Sequence, residues 1–227
     1  MVTLFSKQGL STFAKRLFTG LILGLLFWTC FAYFPPIYFS MVLGLILGLI
    51  ILFEWKNFFN IERLSFWLIM PFYPILPFTF LIIMNQNPTY HSLLFILFII
   101  VFSFDTGSYL IGSTLGFHKL APSISPGKTW EGVIGGWIFA CVGLVLVLWE
   151  LHKTKSWLFV AIFSLMVCLL SLIGDLFESW LKRRADIKDS GSLLPGHGGF
   201  LDRFDGILFT VIFFYIFRDY LVRLFGL

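Results

Sequence analysis

Seven stretches of predominantly apolar residues follow one another along the chain: Leu17 to Phe34, Ile37 to Phe53, Ser65 to Met84, Leu93 to Ile111, Gly132 to Leu151, Trp157 to Phe177, and Ile207 to about Leu224. Each approaches the roughly 20 residues a helix needs to cross a hydrocarbon core. A bilayer offers no water to unpaired backbone groups, so such runs must satisfy their own peptide hydrogen bonds, as helices do. The expected fold class is therefore an all-α polytopic integral membrane protein, a bundle of about seven transmembrane helices. With 59% hydrophobic and only 12% charged residues in a 227-residue chain, a soluble domain is excluded. The third run holds Pro71, Pro74 and Pro77 and is expected to be kinked or broken, its freed carbonyls satisfied by neighbouring helices. In the seventh, Arg218 and Asp219 interrupt the apolar pattern, and Arg218 would have to snorkel to an interface.

Lysine and arginine distribution sets the expected orientation. With the N-terminus inside, twelve of the sixteen basic residues fall on the inner connections and four on the outer ones, which places the N-terminus in the cytoplasm. Spread over the ends of apolar runs, the basic residues give no footprint for nucleic acid. Lys7, Lys15 and Arg16 before the first run imitate a secretion signal, but Pro35 and Pro36 close the run and no small-residue cleavage site follows, so a retained span is expected. Cys30, Cys141 and Cys168 each lie inside an apolar run and read as small buried residues.

Against this background one segment stands apart. Gly174 to Gly206 holds Asp175, Glu178, Asp186, Asp189, Asp202 and Asp205, half of the twelve acidic residues, with Lys182, Arg183, Arg184, Lys188 and Arg203 among them. It falls on the cytosolic side of the expected orientation, so a cytosolic substrate could reach it. The chain accordingly divides into N-terminal transmembrane helices, 1–92, and a C-terminal catalytic transmembrane region, 93–227, with the polar segment at 174–206.

Three polar constellations are candidates for chemistry. At about 100° per residue, Asp175, Ser179, Lys182 and Asp186 share one stripe of the helix that ends the sixth run, with Glu178 beside it. A solvated helix end would explain Arg183 and Arg184, whereas Asp175 follows directly on an apolar run, where carboxylates are costly and seldom idle. Second, Pro195, Gly196, Gly198 and Gly199 give a backbone able to bend tightly, after which Asp202 and Asp205 project from the first turn of a helix. Two neighbouring carboxylates repel unless a cation lies between them, and hard oxygen ligands favour magnesium or calcium. Helix capping by Asp202 is the competing explanation, which suits one aspartate and not both. His197 lacks a second histidine at metal spacing, which argues against zinc.

Third, Asp105 sits inside the fourth run, where an unpaired carboxylate costs about 2.5–3.5 kcal/mol, so it must face the bundle interior or a wet cavity. The loop expected after it offers Ser123, Ser125, Lys128 and Thr129, small donors suited to phosphate oxygens, with Glu131 at a helix start. Gly127-Lys128-Thr129 is not a phosphate-binding P-loop, since Pro122 stands where that motif needs glycine and no strand is expected before it. Glu54, Glu62, His91, His118, Glu150 and His152 fall at span ends and read as interfacial.

The segment from Ser179 to Asp205 resembles the signature of the phosphatidate cytidylyltransferase (CDP-diacylglycerol synthase) family. The likeness rests on Ser179, Lys182, Arg183, Lys188, Asp189, Gly191, Pro195, His197, Gly198, Gly199, Asp202, Arg203 and Asp205, and extends to G-D-L-F-E-S at 174–179, D-T-G-S-Y at 105–109 and S-P-G-K-T-W-E-G at 125–132. Gly127, Ser108 and Gly206 depart from residues common in the family, the first where a lysine is frequent. The resemblance implies transfer of a cytidylyl group from CTP to phosphatidate, giving CDP-diacylglycerol and pyrophosphate in phospholipid biosynthesis, with magnesium required and a second cation as an option. It implies metal binding by Asp175, Asp202 and Asp205, catalytic roles for Lys182, Ser179 and Asp205, and substrate binding by Ser125, Lys128, Thr129, Glu131, Lys188, His197 and Arg203. Its expected setting is a bacterial cytoplasmic membrane with the site facing the cytosol, CTP, phosphatidate and membrane lipids as partners, and a homodimer as one assembly. A CTP-dependent lipid-alcohol kinase or another lipid cytidylyltransferase would use similar residues. A cation-coupled transporter would instead call for inverted repeats, and the polar residues are concentrated in the second half.

Overall fold

The computed structural model describes residues 22, 24–59, 62, 64–194 and 198–227. Among them, five helices are long and apolar enough to cross a membrane: Pro36–Phe58 (α2), Leu64–Gln86 (α3), Pro88–Leu115 (α4), Trp130–Glu150 (α5) and Trp157–Arg184 (α6). A shorter apolar helix, Gly24–Tyr33 (α1), precedes them. Two further helices close the chain, Leu201–Ile216 (α7) and Arg218–Phe225 (α8). This is the expected all-α membrane bundle, and the second to sixth apolar runs each became a spanning helix.

Local chemistry starts these helices where it should. Pro36 and Pro88 occupy first-turn positions where a missing N–H costs nothing. The Asn87 side chain accepts from Thr89 N at 3.0 Å, Ser156 from Phe159 N at 3.2 Å and Thr129 from Gly132 N at 3.2 Å. The proline-rich third run is broken as anticipated: α3 changes to π-type winding over Pro71–Ile75, and Tyr73 leaves helical geometry altogether (φ −151°, ψ 108°). A second π-type turn, Ile50–Glu54, interrupts α2.

The core forms around α4, whose Leu93, Leu94, Ile96, Leu97, Phe98 and Ile100 are fully buried. Phe27 and Phe31 of α1 and Phe39 of α2 meet Phe98 edge-on with centroids 5.2–6.2 Å apart. Large apolar side chains on the outside, such as Leu45, Leu158, Trp149 and Trp157, are more than half exposed and form the surface that hydrocarbon or its interface would cover. Close approach between helices is bought with glycine: a Cβ on Gly136 of α5 would lie 2.6 Å from the Phe104 carbonyl of α4, and one on Gly174 of α6 would lie 2.5 Å from the Asp205 carbonyl of α7.

Three features differ from the sequence expectations. The last apolar run, expected to continue to about Leu224, breaks at Phe217, so α7 and α8 are separate. The break places Arg218 at the start of α8, and α7 is not among the helices long and apolar enough to cross a membrane; the Arg218 guanidinium donates to the Tyr215 carbonyl at 2.8 Å and lies 4.5 Å from that residue's ring centroid. The stretch expected as a loop before Glu131 is an antiparallel hairpin, Lys119–Ala121 (β1) with Ser125–Thr129 (β2), pairing Lys119 with Thr129 and Ala121 with Ser125. Finally, α6 ends at Arg184, and Asp186 adopts a left-handed conformation (φ 55°), so it drops off the stripe shared by Asp175, Ser179 and Lys182. The first apolar run is described only from Ile22, and its predicted start at Leu17 lies outside the described residues.

Candidate active site

The hairpin and the polar segment lie at the same end of the bundle. Arg183 of α6 donates through Nε to the Ile124 carbonyl at the hairpin turn, 3.1 Å away, and Lys128 of β2 ion-pairs with Asp175 of α6. The α-helical period does the gathering on α6 itself. Asp175, Glu178, Ser179 and Lys182 lie one turn apart on adjoining stripes, where the helix leaves its apolar stretch. Ser179 and Lys182 are buried, and Glu178 is completely so. The Lys182 ammonium lies 3.2 Å from Glu178 Oε1 and donates to Asp202 Oδ1 at 2.7 Å, so one cation holds two carboxylates from different helices. The Glu178 and Asp202 carboxyls also lie within hydrogen-bond reach of each other, so both lean on Lys182.

Asp202, in the first turn of α7, is engaged from several sides. Besides Lys182, it accepts at Oδ2 from Gly199 N at 2.8 Å and from both the amide and the hydroxyl of Ser190 at 3.0 Å. Gly198 makes this possible, with φ +82° and its α-carbon beside the Asp202 carboxylate. Asp202 thus ties the end of the signature loop to the start of α7 without capping the helix, and its oxygens are spent there and on Lys182.

Asp205, one turn further along α7, is differently placed. Its Oδ1 accepts from Gly206 N at 2.8 Å, and the charges around it are Asp175, Glu178 and Asp105. The glycine contact at Gly174 draws α6 and α7 together at this level. Asp105 of α4 lies in the electrostatic reach of Asp175, Lys128 and Arg203. Acidic groups from three helices therefore share one region, countered by Lys128 from the hairpin and Lys182 from α6. Among the described residues no three His, Cys, Asp or Glu side chains are gathered closely enough to hold a metal ion by themselves.

The remaining predicted residues divide. Ser125 opens β2 and is half-buried, while Lys188 and Arg203 are exposed. Thr129 is buried, with its hydroxyl committed to capping α5. The Glu131 carboxylate accepts from Phe117 N and His118 N at 3.2 Å and lies 2.5 Å from His118 Nδ1, ordering the start of the hairpin. His197 lies outside the described residues. Two residues escaped the sequence reading. Glu54, taken as interfacial, is fully buried and bonded to the signature loop. Tyr73, at the break in α3, buries a hydroxyl with no hydrogen-bond partner beside Glu178, Asp205, Asp175 and Asp202. A carboxylate at the end of an apolar run and a hydroxyl among three prolines were the available signals.

Comparison with known proteins decides the family. The model of the cytidylyltransferase family matches residues 1–221. The chain belongs to the cytidylyltransferase family. Among its relatives, a protein named phosphatidate cytidylyltransferase from Rickettsia conorii is 35% identical over 214 residues, covering 91% of each chain. Proteins of the same name from Bacillus subtilis and Brucella suis are 37% and 44% identical over 161 and 133 residues, covering 70% and 59% of this chain and 60% and 49% of their own. This cytidylyltransferase is thus a nucleotidyltransferase, built on membrane helices, with its charged residues gathered where α6, α7 and the hairpin meet.

Proposed function

We propose that the protein is a phosphatidate cytidylyltransferase, converting CTP and phosphatidate to CDP-diacylglycerol and pyrophosphate at the cytosolic face of a bacterial cytoplasmic membrane. A phosphate oxygen of the lipid forms a bond to the α-phosphorus of CTP while the bond to the α–β bridging oxygen breaks and pyrophosphate departs. The lipid supplies its own nucleophile, so the protein's task is to position two polyanions and offset their charge. The observation that carries this reading is the meeting of Lys128 with Asp175 and of Lys182 with Asp202 at one end of an apolar bundle, where a nucleotide from water and a headgroup from the lipid layer can both arrive. In this reading Lys128, with Ser125 beside it on β2, steadies the nucleotide phosphates, while Lys182 and Ser179 contact oxygens at the reacting phosphorus. Lys188 and Arg203, both exposed, line the approach, and His197 is assigned to substrate binding with them.

Hard carboxylate oxygens from neighbouring helices suit magnesium, an ion commonly held by one or two carboxylates with substrate phosphates and water completing its shell. Asp175 and Asp205 would hold it, Asp175 exchanging its pairing with Lys128 for the ion as that lysine turns to the nucleotide phosphates; Asp202 is occupied by Lys182 and the loop amides. Bound there, it would screen the phosphates from each other and polarise the α-phosphoryl group.

Purified protein incubated with phosphatidate and CTP labelled separately in the cytosine and in the γ-phosphate tests the proposal. Cytosine label in the lipid and γ-label in released pyrophosphate is the expected result. A lipid carrying the γ-label alone would mean a kinase, and label in neither product would refute nucleotide chemistry on phosphatidate.

A further inference from the structure

Glu54 lies at the end of the π-type turn of α2, 136 residues from Ser190 in sequence, and is completely buried. Its Oε1 accepts from Phe200 N at 2.7 Å, and its Oε2 accepts from Leu201 N at 2.9 Å and lies 3.0 Å from the Ser190 hydroxyl. Phe200 and Leu201 begin α7, where the first N–H groups have no partner within the helix and must find one elsewhere. Asp202 takes the N–H groups of Gly199 and Ser190, and Glu54 takes the next two. The Ser190 hydroxyl sits 3.0 Å from both carboxylates and bridges them. Asn57, one turn after Glu54, donates to the Ser190 carbonyl at 2.7 Å and ties the same loop to α2 a second time.

Two glycines of the signature make room for this side chain. A Cβ on Gly199 would lie 2.6 Å from Glu54 Cδ, and one on Gly191 would lie 3.0 Å from Glu54 Cγ. Closeness to Glu54 therefore gives a physical reason for glycine at two positions that loop flexibility alone does not distinguish. From Ser190 the connections continue through Asp202 to Lys182 and from Lys182 to Glu178.

We infer that Glu54 is a positioning residue for cytidylyl transfer: it fixes the start of α7, and through it the placement of Asp202, Lys182 and Asp205, without touching substrate. The active site is then completed by the second span rather than contained in the C-terminal region. This inference rests on the proposed reaction, and a misplacement of about 1 Å in a constellation of this kind can cost on the order of 100-fold in rate.

The test uses the full chain in detergent or nanodiscs. Glu54→Gln keeps the shape but presents a donor to a set of donors. The expected result is folded protein whose kcat is lower by about 10- to 100-fold while KM for CTP and for phosphatidate stay within about threefold, the pattern of a lost transition-state arrangement. Ser190→Ala added to it should cost less than Ser190→Ala alone, because both act through one network. Amide hydrogen exchange over residues 198–204 should quicken in Glu54→Gln, a readout independent of turnover. If the parent forms no CDP-diacylglycerol, the proposed reaction fails, while exchange still reports whether Glu54 holds the loop. Folded Glu54→Gln with parental kcat overturns the inference, as does a loss explained wholly by fewer folded molecules. Should Glu54→Gln not fold, Ser190→Ala and Asn57→Ala take its place, and parental kcat in both would overturn it equally.

Discussion

Replacing Lys182 with methionine removes the one ammonium that stands between Glu178 and Asp202. Its nitrogen lies 3.2 Å from one carboxylate and 2.7 Å from the other, and at an effective dielectric of about 20 these separations correspond to gross attractions of about 5 and 6 kcal/mol. Much of that is offset by the several kcal/mol needed to strip water from a largely buried ammonium, so the net cost of breaking the pair is nearer 3–5 kcal/mol. Asp202 would keep its amide and hydroxyl donors, whereas Glu178, fully buried, would keep only the neighbouring Asp202 carboxyl. The stability loss should therefore come mainly from Glu178, and Glu178→Gln in the Lys182→Met background should restore at least about 1 kcal/mol of it. Turnover should not return, because the positive charge offered to phosphate is still missing; a loss of about 100- to 1,000-fold is expected in both variants. Reversible unfolding in detergent, alongside CDP-diacylglycerol formation per folded molecule, reads both quantities. A Lys182→Met protein as stable as the parent, or a double variant no more stable than the single, would refute the charge balance described for this site.

Gly174→Ala would push a methyl to 2.5 Å from the Asp205 carbonyl, so α6 and α7 must separate; a stability loss of about 1–3 kcal/mol and a larger fall in turnover are expected from melting curves and kinetics. Lys128→Met frees Asp175 and should raise KM for CTP by about tenfold or more, with a smaller change for phosphatidate, measured by varying each substrate in turn. Gly127→Lys meets no atom within 4 Å of the new Cβ and adds a cation next to Lys128; KM for CTP should fall by about two- to fivefold, and an increase would count against nucleotide binding at the hairpin. Glu131→Ala leaves the amides of Phe117 and His118 without their acceptor, so proteolysis near residue 117 should accelerate while the membrane core melts as before.

The spans were legible because each needs only length and apolarity, and Pro71 and Pro74 announced the break in α3 through chemistry local to the chain. The break in the last apolar run was not, since it depends on Arg218 finding Tyr215 at a turn that sequence periodicity does not mark. The hairpin escaped because Ser125–Thr129 carries serine, proline and glycine in place of an alternating apolar pattern, and its ordering comes from Glu131 fourteen residues beyond Phe117. Within the site, the helical stripe of Asp175, Ser179 and Lys182 followed from the period of α6, and the start of α7 near Asp202 from the glycine-rich turn before it. The division of labour between Asp202, bonded to the loop amides and paired to Lys182, and Asp205, set among other carboxylates, required the fold. So did Glu54, whose partners lie far along the chain; a glutamate near the end of an apolar run looks the same whether water or Phe200 receives it.

The most direct measurement is magnesium-dependent formation of CDP-diacylglycerol from CTP and phosphatidate by the folded parent protein and by Asp205→Asn. The parent should release one pyrophosphate for each CDP-diacylglycerol made, and the variant, equally folded, should lose turnover by about 100-fold or more. Turnover in Asp205→Asn equal to the parent's would contradict the site built here from α6, α7 and the hairpin, and a parent that forms no CDP-diacylglycerol would contradict the reaction itself.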